Sequence, residues 1–287
     1  TVDTVYLGNC ANGRPVWFDR AAYEADLIVP INRVKLHTDF VGPIQSGLCK
    51  MLVIGLGNHK GCSAVHEEAP EVFAGAIEET ARLILQKAPV GFGIAILENA
   101  YDKTYAVEAV PAEHLVEREK ELVQIAKGNM PYIMLDEADV IVCGAIGKDI
   151  SGAGFDPNIL GRSSVLKQFV LHIPRYQRLV LCDVTPASHG NGIGVGLFDV
   201  ITKKVAEQLD LESMYANAIA CNCLGDASVP CTVDDEETAI RVALKCCRNI
   251  DRDHPRIIRI QNTLHLGEIE VSEALLDAVR ADSRMSL

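Results

Sequence analysis

Three short segments hold most of the side chains in this sequence that could carry out chemistry. The first, Asn32–Phe40, follows an apolar run and delivers Arg33, Lys35, His37 and Asp39 within seven positions. A histidine in such a segment can exchange a proton near neutrality, with its neighbours setting where it titrates. The second runs from Ser46-Gly47-Leu48-Cys49-Lys50 through Gly55 and Gly57 to His66. Lys50 is followed by Met-Leu-Val-Ile, so its amine emerges from an apolar wall, and desolvation there favours the neutral, nucleophilic form. The other arrangement is a lysine that buries only its stem and keeps its head in water. His66 on its own reads either as a metal ligand or as a hydrogen-bonded structural histidine. The third segment, Gly147–Asn158, follows the apolar Val140–Ile146 and includes Lys148, with Arg162 just beyond. Lys148 and Arg162 are candidates for gripping a carboxylate, which a guanidinium can bind through two hydrogen bonds. Their alternative is a surface lysine and a helix-capping arginine. Asp156-Pro157 reads as a helix cap with proline at the first position, in preference to half of a metal pair with Asp149.

Other patterns carry less. Gly55-x-Gly57-x-x-x-Gly61 and the alternating Gly190, Gly192, Gly194 and Gly196 suggest phosphate loops, but neither has the spacing of the dinucleotide fingerprint. A nicotinamide-dependent oxidoreductase is therefore the competing enzyme class, and a non-catalytic binding protein of the same fold the competing non-enzyme class. Cysteines such as Cys143 and Cys182 sit in apolar runs and read as buried, reduced thiols of a cytosolic protein. Cys221-x-Cys223, Cys231 and Cys246-Cys247 lack a complete four-cysteine cluster spacing, so they too are expected to be buried thiols. Thr1 could act as an N-terminal nucleophile, although an ordinary chain end is the preferred reading.

The elements that must position these residues alternate between strand and helix. The chain has 287 residues, 48% apolar and 23% charged, with a net charge of −12 and no basic stripe. That composition is globular and argues against nucleic acid or an anionic membrane surface as a partner. No apolar stretch has the length of a transmembrane helix and no signal peptide is evident, so a cytoplasmic location is expected. Thr4–Leu7 and Pro15–Phe18 alternate around Asn12-Gly13 as a hairpin. A short helix Ala21–Ala25, a buried parallel strand Asp26–Val34 and an apolar strand Leu48–Leu56 follow, with Gly57–Cys62 as a loop. Pro70–Lys87 has helical period, Gly91–Glu98 and Thr104–Val110 form a second hairpin, and Pro111 starts a further helix. Gly128-Asn129-Met130-Pro131 marks a boundary between domains 1–128 and 129–287. Beyond it come strands Val140–Ile146, Arg178–Val184 and Ile257–Gln261, and helices Gly196–Gln208, Leu211–Ala218 and Asp235–Cys247. The expected class is α/β, with two domains, each a mixed or mostly parallel sheet with helices on both faces and an active site in the cleft between them.

The run Asn32–Asp39, Gly42, Ser46-Gly47, Lys50, Gly55 and His66 resembles the nickel-pincer lactate racemase family, and more specifically its lactate-racemase-domain branch. His66 lies sixteen positions past Lys50, as in the family, and Gly55 falls where the family places a glycine. Segments Gly147–Arg162, Ser188–Gly196 and Asn262–Glu273 extend the resemblance over nearly the whole chain. The resemblance implies a racemase or epimerase of a small 2-hydroxy acid. It implies Lys50 as the covalent anchor of a nickel-pincer nucleotide (a pyridinium-3,5-bisthiocarboxylate mononucleotide), with Gly47 and Gly55 beside that cofactor. His66 would be the protein ligand to nickel, and His37 one of two acid–base histidines. Leu36 stands where the family has proline, and the interval from His37 to Lys50 is longer than in lactate racemase itself. The second acid–base histidine would lie upstream of Thr1, so the chain reads as the C-terminal two-thirds of a longer protein that needs an upstream segment or companion chain.

Overall fold

The computed structural model of the chain describes residues 3–287, so the reading of Thr1 as a nucleophile lies outside the described residues. Alternating residues on either side of Asn12-Gly13 produce an antiparallel hairpin, β1 (Thr4–Asn9) and β2 (Pro15–Asp19). The Asp19 carboxylate ends it by accepting from the Ala22 N–H at 2.9 Å, which caps the short helix α1 (Arg20–Tyr23). Strand β3 is confined to Ile31–Arg33, with an isolated parallel bridge between Ile28 and Val90 upstream. This corrects the expected strand Asp26–Val34. Pro30 has no N–H for the ladder, and Leu27 and Ile31 are exposed, so the segment is an edge strand rather than a buried one.

Leu48–Leu56 is also not a strand. Helix α2 (Leu48–Lys50) runs on as a π-helical turn over Met51–Gly55. Leu48, Cys49, Leu52 and Val53 are buried, a spacing of four that places them on one helical face. The expected glycine loop after it is instead the start of α3 (Asn58–His66). A Cβ at Gly57 would fall 2.1 Å from the Val53 carbonyl, so this glycine permits the tight join between the π-helical turn and α3. Helix α4 (Phe73–Lys87) follows, then β4 (Phe92–Glu98), β5 (Thr104–Pro111) and α5 (Leu115–Asn129). Pro111 closes β5, and a 3-10 turn, Ala112–His114, separates it from α5. In the sheet β3-β4-β5, β3 is parallel and β5 antiparallel to β4. Leu48 and Leu115 abut Gly93 on one face of this sheet. The other face bears exposed Ile31, Tyr105 and Val107.

These elements form one compact unit, Thr1–Met130, and Pro131–Leu287 forms a second. The second contains β6 (Val140–Cys143), α6 (Pro157–Leu160), β7 (Arg178–Leu181), β8 (Val200–Thr202), α7 (Lys203–Gln208), α8 (Leu211–Ala220), β9 (Cys231–Val233), α9 (Glu236–Lys245), β10 (Ile257–Ile260), β11 (Ile269–Val271) and α10 (Leu276–Ala281). The sheet order is β11-β10-β6-β7-β8-β9, parallel throughout except for β11. All four residues of β6 are buried, as a strand covered on both faces requires. Val140, Val142, Val180 and Val200 meet Ala239 and Ala243 of α9 on one side. The expected helix Gly196–Gln208 is corrected to a short strand followed by a helix. Val200 and Ile201 extend the ladder, and the Thr202 hydroxyl then caps α7 by accepting from the Val205 N–H. Asp156 caps α6 as read, accepting from the Asn158 N–H at 2.9 Å with Pro157 at the first position.

All ten cysteines are free thiols, but Cys221, Cys231 and Cys246 are exposed. The expectation of burial therefore fails for these three, which lie outside the apolar runs that hold Cys143 and Cys182.

Candidate functional site

The first unit brings together His37, Lys50 and His66. His37 sits in the loop that leaves β3. Its backbone N–H donates to Gln45 Oε1 at 2.8 Å, and Gln45 Nε2 donates to the Gly42 carbonyl at 3.2 Å, so the buried Gln45 amide holds the loop in its turn. The imidazole stacks on Phe40, with ring centres 4.2 Å apart and planes at 29°. Phe40 in turn packs on Phe73 at 4.8 Å, and Phe73 meets the His66 ring edge-on at 5.0 Å. A line of four rings thus joins the two histidines and fixes their planes.

Lys50, at the end of α2, places Nζ 2.6 Å from His37 Nε2. Two charged groups at that separation repel. Burial, and then repulsion from the basic side chains of Lys50, Lys35 and His66, hold the His37 imidazole well below its ordinary titration range. The neutral ring carries one proton. The Asp39 backbone N–H donates to Nδ1 at 3.0 Å, so Nδ1 bears the lone pair and the proton is on Nε2. A hydrogen bond from Nε2–H to Nζ then needs a lone pair on the lysine nitrogen. The Lys50 amine thus lies within hydrogen-bond distance of the imidazole nitrogen that faces it.

His66 closes α3 and is exposed. Its Nδ1 lies 2.8 Å from the Cys62 carbonyl one turn back, with the Cys62 thiol 3.4 Å away. Donation from Nδ1–H to that carbonyl sets the tautomer and leaves the lone pair on Nε2, the nitrogen that could hold a metal. Among the described residues no group of three or more His, Cys, Asp or Glu side chains could hold a metal ion.

Gly47 and Gly55 are accounted for within the chain itself. The Gly47 carbonyl accepts from Asn32 Nδ2 at 2.9 Å, and a Cβ there would fall 2.6 Å from Glu119 Oε1. A Cβ on Gly55 would fall 2.7 Å from the Met51 sulfur. Lys148 and Arg162 belong to the second unit. Lys148 Nζ donates to the Gly152 carbonyl at 2.6 Å, and its backbone N–H donates to Ser188 Oγ at 2.7 Å. The Arg162 guanidinium donates to Asp199 Oδ2 at 2.6 Å and to the Leu197 carbonyl at 2.8 Å, and lies over the Tyr176 ring. These bonds give Arg162 a framework role.

Glu119 of α5 carries no motif signal, yet it is fully buried against the start of α2, with Oε2 accepting from the Cys49 N–H at 2.9 Å. An open groove of about 590 Å³ lies elsewhere in the first unit, lined by Asn12, Arg14, Trp17, His59, Lys60 and Glu68 among others, and includes none of His37, Lys50 and His66.

No protein-family signature matches the chain, and no curated protein matches it. Among solved structures it is similar to the lactate racemase apoprotein from Thermoanaerobacterium thermosaccharolyticum, with 14% identity and a TM-score of 0.42 over 81% of this chain and 66% of that one. It is also similar to a protein from Thermotoga maritima determined by a structural genomics consortium, with 14% identity and a TM-score of 0.41 over 62% of this chain and 47% of that one. The chain spans less than two thirds of the length of either.

Proposed function

We propose that this chain is the cofactor-anchoring part of a nickel-dependent racemase or epimerase of a small 2-hydroxy acid, with Lys50 as the covalent anchor, His66 as the protein ligand to nickel and His37 as an acid–base group. The observation that carries this reading is the 2.6 Å approach of Lys50 Nζ to His37 Nε2, at the positions where the sequence resembles the family's anchor and acid–base residues. The donor set fits the group. Lys50 offers an amine for a covalent bond, and one imidazole offers Nε2 as a single protein ligand of the kind square-planar nickel accepts. When bound, a nickel-pincer nucleotide supplies the hydride acceptor for the substrate 2-carbon. His37 holds its proton on Nε2, the nitrogen directed into the site, and can exchange it with a substrate hydroxyl once Lys50 is engaged in its linkage. Phe40 keeps the ring plane fixed during that exchange. Lys148 and Arg162 remain proposals for carboxylate binding, Arg162 the weaker because Asp199 already pairs with it.

The test is intact-protein mass after coexpression with the enzymes that make the cofactor. A covalent adduct in the native protein and none in a folded Lys50→Ala variant is the expected result. An adduct of unchanged occupancy in Lys50→Ala would overturn the assignment, and so would a native protein that takes up none.

A further inference from the structure

Helix α2 begins without a side chain to cap it. The first N–H groups of a helix have no partner within it, and the residue before Leu48 is Gly47, which has nothing to offer them. The missing acceptor comes from another element seventy residues away in sequence. Glu119 projects from α5 into the core, and its Oε2 accepts from the Cys49 N–H at 2.9 Å. Its other oxygen, Oε1, is buried and has no hydrogen-bond partner. It faces Gly47 so closely that a Cβ there would sit 2.6 Å from it. The Gly47 carbonyl also accepts from Asn32 Nδ2 of β3, the strand that leads into the His37 loop. The peptide from which the Lys50 helix starts is thus tied at one end to the element that presents His37 and at the other to the core of the unit.

We propose that Glu119 is a positioning residue for Lys50, an in-trans cap that sets the direction of α2 so that the Lys50 amine meets His37 Nε2. Lys50 follows Cys49 directly, so a change in the tilt of the first turn moves Nζ relative to the ring. A buried carboxylate with one oxygen unpartnered is a costly way to satisfy the start of a helix. Within the core an apolar side chain would fill the volume without that cost, but it would leave the start of α2 uncapped. The role concerns where the amine is held. It takes its functional meaning from the anchor reading of Lys50, but its test does not depend on a cofactor.

Trace acetylation with acetic anhydride, read lysine by lysine by peptide mass spectrometry between pH 6 and pH 10, reports the reactivity of Lys50 against the exposed Lys87. In the native protein Lys50 should label faster than Lys87 at neutral pH. In Glu119→Ala that advantage should fall by roughly 10-fold or more, the scale on which small misplacements of reacting groups act, and the Lys50 pH profile should move toward that of Lys87. Glu119→Gln keeps an acceptor for the Cys49 N–H and should retain the native profile. A folded Glu119→Ala protein with native Lys50 labelling would overturn the proposal. Should Glu119→Ala fail to fold, Gly47→Ala decides, because its methyl group displaces the carboxyl from Gly47. Slowed Lys50 labelling in the folded Gly47→Ala protein supports the proposal and native labelling overturns it. Loss of the adduct test alone would remove the nickel reading and leave this result standing.

Discussion

Replacing Glu119 with glutamine should flatten the alkaline side of the first unit's stability profile. Burial raises the Glu119 carboxyl from 4.5 to about 7, while the Cys49 and Leu48 N–H groups and the Cys49 thiol pull the other way. A folded-state value above the unfolded one stabilises the fold fully below about pH 4.5, and that contribution is lost as pH rises through about 7. The shift is about 2.5 pH units, and each unit is worth about 1.4 kcal/mol, so the loss approaches roughly 3 kcal/mol above pH 8. Glutamine does not titrate and carries none of this loss. Its amide can still accept from the Cys49 N–H, but its NH₂ group would take the place of Oε1, where there is no partner, at a pH-independent cost of about 1–3 kcal/mol. Glu119→Gln should therefore be less stable than the native protein at pH 4.5 and should gain on it by roughly 3 kcal/mol between pH 4.5 and pH 8. Urea unfolding followed by Trp17 fluorescence measures this for the first unit, because Trp17 is the only tryptophan in the chain. His37 contributes a slope of opposite sign, but it does so in both proteins and cancels in the difference. Parallel native and variant curves across this range would refute the reasoning.

His66→Ala should lower nickel content by about 10-fold or more while leaving the organic adduct on Lys50, since the helix would lose its one prepared imidazole nitrogen. Elemental analysis beside intact mass checks it, and unchanged nickel would move the ligand to His59, the nearest other imidazole along the chain. His37 has a folded-state value lowered by burial and by Lys50, Lys35 and His66, so its contribution is present above pH 6.5 and is lost as pH falls below it. His37→Gln should accordingly show a shallower acid limb in Trp17-detected unfolding between pH 6.5 and pH 5, and an acid limb as steep as the native one would contradict the burial argument.

The second unit was readable because its strands are nearly continuous apolar runs separated by helical periods. Val140–Cys143 and Arg178–Leu181 fall within the runs that announced them. The strands that escaped detection, β8, β9 and β11, are three residues each, too short to show a period, and β8 joins a helix without an intervening turn. Leu48–Leu56 was misread for a related reason. Met-Leu-Val-Ile is a short apolar run with β-branched residues at its end, and period alone does not separate a buried strand from a buried helical turn at that length. What decides it is the capping of α2 from α5 and the tight join at Gly57 against the Val53 carbonyl, neither of which leaves a local trace.

The same distinction governs the site. His37, Lys50 and His66 could be picked out as chemically capable types in loops next to apolar runs, and the sixteen-residue interval from Lys50 to His66 joined two of them to a known pattern. That His37 faces Lys50 was not legible, because the contact depends on how the loop turns around the Gln45 amide and on the tilt of α2. Glu119 was invisible altogether. On α5 it occupies an inward position among Leu115, Leu122, Val123 and Ala126, where a glutamate looks like an interruption of the apolar face. Its use appears only when a helix start with no cap of its own is brought against it. An acid at a core position of an amphipathic helix is thus the one local sign that could have pointed to a backbone partner elsewhere. Here that partner is the peptide next to Lys50, so the least conspicuous residue of the site joins Asn32 and Gln45 in setting how Lys50 and His37 meet.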